Sequence, residues 1–209
     1  MGREVEYIGY DVIDDYFDEM KCFQVTGEAK ALETVLEQLQ EEAKEYEDTH
    51  LVVVSCNQGQ TSEMTVRERY WAIMKVVITQ LQKEFPEKGQ LWSRLLSKNA
   101  EEMHGKSDLY PIFKNELSDY NFYLVLKDFE FFLELFPDEQ KTQGINISYP
   151  FVELSYLSGN KSGDAPRNLA TLLLSKKEQI KVERDLFREN NQDSPFNSIY
   201  TECHVQLEE

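Results

Sequence analysis

Cysteine is scarce: Cys22, Cys56 and Cys203 are an odd number, spread far apart in apolar or mixed surroundings. This excludes a disulfide framework and suits reduced thiols in a reducing compartment. Histidine is equally rare. His50, His104 and His204 do not cluster with the cysteines, and no two cysteines fall at zinc-ligand spacing, so no metal site is expected. No apolar run reaches the roughly 20 residues of a membrane-spanning helix. The opening Met1-Gly2-Arg3-Glu4-Val5-Glu6 is charged and lacks the apolar core of a signal peptide. The expectation is a cytoplasmic protein with no membrane partner. Internal repeats and low-complexity tracts are missing as well. Positive charge is short: 22 Lys and Arg stand against 39 Asp and Glu, a net charge of −17. Such a field repels nucleic-acid phosphates and acidic membranes, which excludes nucleic acid as a partner. Solubility is its plainest use; a basic protein partner, or mimicry of nucleic acid, is the sharper one.

What is present is an ordinary globular composition, 41% hydrophobic and 29% charged over 209 residues. That is enough for one compact domain with a sizeable core. The most informative stretch is 121–130, Asn-Phe-Tyr-Leu-Val-Leu-Lys-Asp-Phe-Glu. Residues 122–126 are apolar without alternation and too few for a typical helix, which predicts a strand buried on both faces, as in a parallel sheet. The strand runs into Lys127, Asp128 and Glu130. In open parallel sheets, ligands collect beyond the carboxyl ends of the strands.

Along the chain, residues 1–20 read as an acidic, aromatic leader carrying one short helix, and 21–209 as a single domain. Residues 22–26 form a strand ended by Gly27. Leu32, Val35, Leu36, Leu39, Ala43 and Tyr46 then recur at helical spacing, so 30–47 is an amphipathic helix. Residues 51–55, Leu-Val-Val-Val-Ser, are a second buried strand, completing a right-handed crossover. A polar loop at 56–65 ends in Thr65, which with Glu68 forms a capping box. The helix that follows is apolar along one side and is stopped by Pro86. Trp71 and Trp92 fall among its apolar neighbours and those of the next helix, and read as core. Helical pieces are predicted at 90–104 and 110–117, a helical turn at 129–136, a polar loop at 138–148 and a short helix at 151–157. A mobile loop is expected at 158–167, a buried strand at 168–175, a charged helix at 176–188, a turn at 194–196 and a last edge strand at 204–207. The fold class is α/β: a mainly parallel sheet of four or five strands with helices on both faces.

This order of elements resembles the nucleotide-binding domain of STAND-class P-loop ATPases, AAA-related signalling switches. The resemblance spans about 20–207 and rests on residues 22–27 with the helix after them, 51–55, 126–130, 172–177 and 194–196. It implies a three-layer P-loop NTPase fold whose nucleotide site would be built from Gly27, Lys30, Lys127, Asp128, Glu130 and Ser175. The departures are specific. A working phosphate loop reads Gly-x-x-x-x-Gly-Lys-Ser/Thr, its amides cradling phosphate, its lysine reaching the terminal phosphates and its hydroxyl binding magnesium. Here Gly27-Glu28-Ala29-Lys30-Ala31 has one glycine, no hydroxyl after Lys30, and a loop about three residues short of that pattern. In the acidic strand, one register puts Lys127 at the magnesium-binding aspartate; the other puts Asp128 there and Phe129 in place of the catalytic glutamate. Ser175 matches the sensor position, but Lys176 replaces its arginine, and Lys176 and Lys177 read as ordinary surface residues. With these departures the resemblance implies a non-catalytic domain without a cofactor, serving protein–protein contact or regulation in prokaryotic signalling or conflict systems. The contact surface would come from 56–65, 127–130 and 158–167. The alternatives are a divergent switch that binds ATP with magnesium through Lys30, Asp128 and Glu130, and an acidic decoy for a basic protein.

Overall fold

A computed structural model describes residues 5–8, 22–58, 63–103, 108–130, 168–176 and 200–207. The strands are β1 (Val5–Ile8), β2 (Cys22–Gly27), β3 (Thr49–Ser55), β4 (Asn121–Lys127), β5 (Leu169–Ser175) and β6 (Tyr200–Leu207). The α-helices are α1 (Ala29–Glu45), α2 (Val66–Glu84) and α3 (Gly89–Leu96), joined by a 3-10 turn at Pro86–Lys88 and a π-helical segment at Ile112–Glu116. The six strands form one sheet in the order β1-β6-β2-β5-β4-β3. Five run parallel, and β1 lies antiparallel along β6 at one edge.

Burial follows the sequence pattern. The five apolar residues of β4, Phe122 to Leu126, are all buried, and all seven of β5 are. Alternation divides them between two cores. Leu124, Leu126 and Leu173 face the core built with α2 and α3, which holds Trp71 at 4% and Trp92 at 0% exposure. Val125, Leu172 and Leu174 face α1 through its Ala31, Leu32, Val35 and Leu39. Both indoles keep a partner inside that core: Trp71 Nε1 donates to Lys98 O at 3.0 Å, and Trp92 Nε1 to Phe85 O at 2.8 Å. The molecule is therefore a three-layer α/β sandwich, as expected. The capping box is also present: the Thr65 hydroxyl accepts from the Glu68 amide, and the Glu68 carboxylate accepts from the Thr65 amide.

Several expectations change. Residues 51–55 are not a strand buried on both faces. β3 pairs only with β4 among the described strands and is the outer strand of the sheet, so its burial alternates. Gln80 Nε2 covers part of that edge by donating to Val53 O at 3.0 Å. The predicted edge strand 204–207 is the end of β6, an interior strand, because Val5–Ile8 of the supposed leader supplies the outer one. The helix expected in that leader has no counterpart at 5–8, and 9–21 lie outside the described residues. α1 stops at Glu45, so Tyr46 leaves the apolar face and is 56% exposed. α3 ends at Leu96, well before 104; Asn99 Oδ1 accepts from the amides of Glu101 and Glu102, a local turn that competes with helix. The elements predicted at 138–148, 151–157, 158–167, 177–188 and 194–196, and residues 131–136, lie outside the described residues.

Candidate functional site

The parallel register brings strand ends together. Ser55 of β3 lies opposite Lys127 of β4, and Thr26 of β2 lies between Ser175 of β5 and His204 of β6. At the next residue the β4 chain turns sharply. Asp128 has a φ of +53°, the left-handed region, which Asp tolerates better than most residues. The amide of Cys56 donates to Lys127 O at 2.8 Å, closing the β3 and β4 ends on one another.

The Asp128 carboxylate is engaged on both oxygens. Ser55 Oγ donates to Oδ2 at 2.7 Å, and Lys176 Nζ donates to Oδ1 at 3.2 Å. Ser55 Oγ also lies 2.8 Å from Asn57 Oδ1. Lys176 holds the end of β4 twice, because its main-chain amide donates to Glu130 Oε2 at 3.3 Å. Burial by itself would raise the Asp128 carboxyl; the Ser55 and Lys176 hydrogen bonds and the nearby lysine charges outweigh it and hold the group below the ordinary carboxylate range. The same bond and charge push Lys176 up. Cys56 is fully buried, and burial, reinforced by Asp128 and Glu130, raises its thiol far out of reach of ionisation. It is an inert neutral side chain.

The residues singled out from sequence divide into three groups. Asp128 and Glu130 meet at the strand ends, joined by Lys176. Gly27 and Ser175 are buried in the sheet; a Cβ on Gly27 would stand 2.5 Å from Val205 O and 2.8 Å from Val205 Cγ2, so only glycine lets β2 and β6 close here. Lys30 is exposed in the first turn of α1, and Lys127 is half-buried at the last position of β4. Lys176 is exposed, as expected of a surface residue, and it is also half the site's ion pair. Ser55 is the residue of this group that sequence reasoning passed over. Its signal was its place as the last polar residue of an apolar strand. A second polar pair bridges the neighbouring strand ends, Thr26 Oγ1 and His204 Nδ1 at 3.1 Å. Among the described residues, no three His, Cys, Asp or Glu side chains gather as a metal site.

No protein-family model matches the chain, and no curated protein matches it by sequence. Among solved structures it is similar to a Walker-type ATPase of Pyrococcus abyssi, at 12% identity and a TM-score of 0.57 over 91% of this chain. The chain has a P-loop NTPase-like fold. It spans 51% of that ATPase's length. The Aeropyrum pernix ORC2 protein, solved in ADPNP–ADP complexes, is also similar, at 12% identity over 89% of this chain and 42% of its own, with a TM-score of 0.47. In this P-loop NTPase-like fold the strand ends that gather Ser55, Asp128 and Lys176 are the edge at which parallel sheets bind ligands.

Proposed function

We propose that the chain is a non-catalytic, STAND-like P-loop domain that acts as a protein–protein interaction or regulatory module in prokaryotic signalling or conflict systems. The observation that carries this is the β2–α1 junction. A single residue, Glu28, separates the end of β2 at Gly27 from the start of α1 at Ala29. A phosphate cradle needs several consecutive loop amides turned toward the anion. One residue cannot supply them, and this one is an exposed carboxylate that repels phosphate. Gly27 faces Val205 closely enough to make its glycine a packing requirement. Asp128, the carboxylate best placed for magnesium, already has Ser55 and Lys176 on its two oxygens. Magnesium nucleotide does not fit these residues.

The scaffold then offers surfaces. The Cys56 turn, Lys127 and Glu130 lie together at the strand ends. On α1, Glu33, Glu37, Glu41 and Glu45 are all exposed and four apart, a single stripe of like charge. Like charges at that spacing weaken a helix, and a basic protein partner would relieve them. The deciding experiment is calorimetric titration with ATP and ADP, with and without magnesium. Silence at millimolar nucleotide is expected. Binding that disappears in Lys30→Ala or Asp128→Ala would overturn the reading and make the domain a nucleotide switch.

A further inference from the structure

We propose that the outer edge of β3 is a docking site for an extended, basic segment of another protein, which adds to the sheet as an antiparallel strand with its cations at the start of β3. This rests on the reading of the chain as a protein–protein module and names how that module holds its partner. Along a pleated strand, alternate residues turn their N–H and C=O groups to opposite neighbours. In β3 the bonds assign the two sides. Asp48 O and the Cys56 amide bond to Asn121 and Lys127 of β4, so the even-numbered positions face inward. The Thr49 amide donates to Tyr46 O, Ser55 O accepts from the Gln58 amide, and Val53 O accepts from Gln80 Nε2, so the odd-numbered positions face out. Between those bonds, the N–H and C=O of Leu51 and the N–H of Val53 have no partner among the described residues.

Open edges are ordinarily blunted by lysine, proline or a bulge. β3 reads Thr-His-Leu-Val-Val-Val-Ser, without either residue, and its pairing with β4 is unbroken from Thr49 to Ser55. Among the described residues its guard is Gln80, which covers one carbonyl. Leu51 and Val53 are half-buried, so apolar surface lies beside the open main chain. An extended peptide on such an edge takes affinity from main-chain hydrogen bonds and specificity from side chains. Charge sets that specificity here. Exposed Glu45, Glu47 and Asp48 precede β3, at the carboxyl end of α1, whose dipole favours cations. At the far end Ser55 lies opposite Lys127. An antiparallel strand with basic residues at its C-terminal end matches both ends. A second copy of the chain brings the same net charge of −17 and is repelled.

The test titrates a blocked peptide, Thr-Val-Thr-Val-Lys-Lys, into the full chain and follows amide hydrogen exchange. The Leu51 and Val53 amides should gain protection of at least about tenfold, while those of Val52 and Val54, already turned to β4, stay unchanged. The peptide also turns alternate amides to its neighbour. N-methylation of one pair, threonines or valines, should weaken binding at least about tenfold through two lost hydrogen bonds, and methylation of the other pair should leave it unchanged. Gln80→Ala uncovers Val53 O and should tighten binding about threefold. Glu45→Gln with Glu47→Gln should weaken it about threefold. Silence of the peptide at millimolar concentration overturns the proposal. Equal binding by both methylated peptides, or binding without protection of Leu51 and Val53, overturns it too and leaves a basic partner to the Glu33, Glu37, Glu41 and Glu45 stripe. Protection of those two amides in the free chain that grows with protein concentration assigns the edge to a second copy and overturns it as well. Nucleotide binding that disappears in Lys30→Ala would overturn the non-catalytic reading alone.

Discussion

Asp128 joins three strand ends through one side chain, and its charge has a measurable signature. Asp128→Asn keeps the shape and tolerates positive φ but gives up the ion pair. Because the pair is partly exposed, the expected loss is small, about 0.5–1 kcal/mol at neutral pH by chemical denaturation. The carboxyl is held below its ordinary value, so its contribution is complete above the unfolded pKa and disappears as pH falls through the folded one. Lys176 is raised, so its contribution is complete below the unfolded ammonium value and disappears as pH rises through the folded one. The gap between wild type and Asp128→Asn should therefore stay flat from about pH 5 to pH 9 and close in acid below about pH 4. A gap undiminished at pH 3 would mean that charge contributes nothing. Gly27 gives a second, discriminating case. Gly27→Ala must push Val205 aside, which should cost about 1–3 kcal/mol as overpacking, read as a lower urea midpoint. A glycine kept for phosphate would instead leave stability nearly untouched and change the response to nucleotide. Asp128 and Glu130 were visible in the sequence because an apolar run ends on them. The pairing of Ser55 and Lys176 with Asp128 was not, because those contacts span 73 and 48 residues and depend on how β3, β4 and β5 align.

Elements with a strong local signal were legible, and those defined by their neighbours were not. β4 and β5 declare themselves by unbroken apolar runs, and α2 by its capping box; Thr65→Ala should cost about 1 kcal/mol through the lost cap, checked by thermal unfolding. Whether a strand is an edge or an interior one is a property of what lies beside it, which is why β3 and β6 exchanged their expected places. The segment before β4 shows what a short pattern conceals. The π-helical turn Ile112–Glu116 ends with carbonyls that need donors. Asn168, at the start of β5, supplies them: its Nδ2 lies 3.0 Å from Phe113 O, 2.9 Å from Leu117 O and 2.8 Å from Tyr120 O. Its own main-chain carbonyl accepts from the Phe122 amide at 2.8 Å, so one buried residue fastens the helical insertion to β4 and β5. Asn168→Ala should cost about 1–3 kcal/mol, the penalty for leaving buried carbonyls unpaired. Asn168→Asp should be worse despite its near-identical shape, because a carboxylate can only accept and would face three acceptors. Equal denaturation midpoints for the two variants would show that the side chain fills space and does not bond.

The net charge of −17 acts on the whole molecule, and its effect can be separated from that of the local pairs. Folding concentrates like charge, and the resulting self-repulsion opposes the compact state. Salt shortens its reach: the screening length falls from about 30 Å at 0.01 M to about 10 Å at 0.1 M and about 3 Å at 1 M. The described ion pairs pull the other way, since salt weakens Arg67–Glu101, Lys88–Glu116 and Lys176–Asp128 too. These pairs are partly exposed, and such pairs are typically worth about 0–1 kcal/mol each, whereas repulsion among surplus acids acts between many groups at once. Melting temperature should therefore rise as sodium chloride is raised from 10 to 500 mM, by a few degrees, since about 1 kcal/mol corresponds to roughly 2–4 °C at this size. A falling melting temperature would mean that specific pairs outweigh the overall field. Attraction to a basic protein has the opposite sign, because the same ions that relieve repulsion within the domain screen its attraction to the partner. If the Glu33, Glu37, Glu41 and Glu45 stripe is the contact, capture of that partner should weaken with added salt over the range in which the free domain grows more stable. Two salt slopes of the same sign would remove charge as the basis of the interaction.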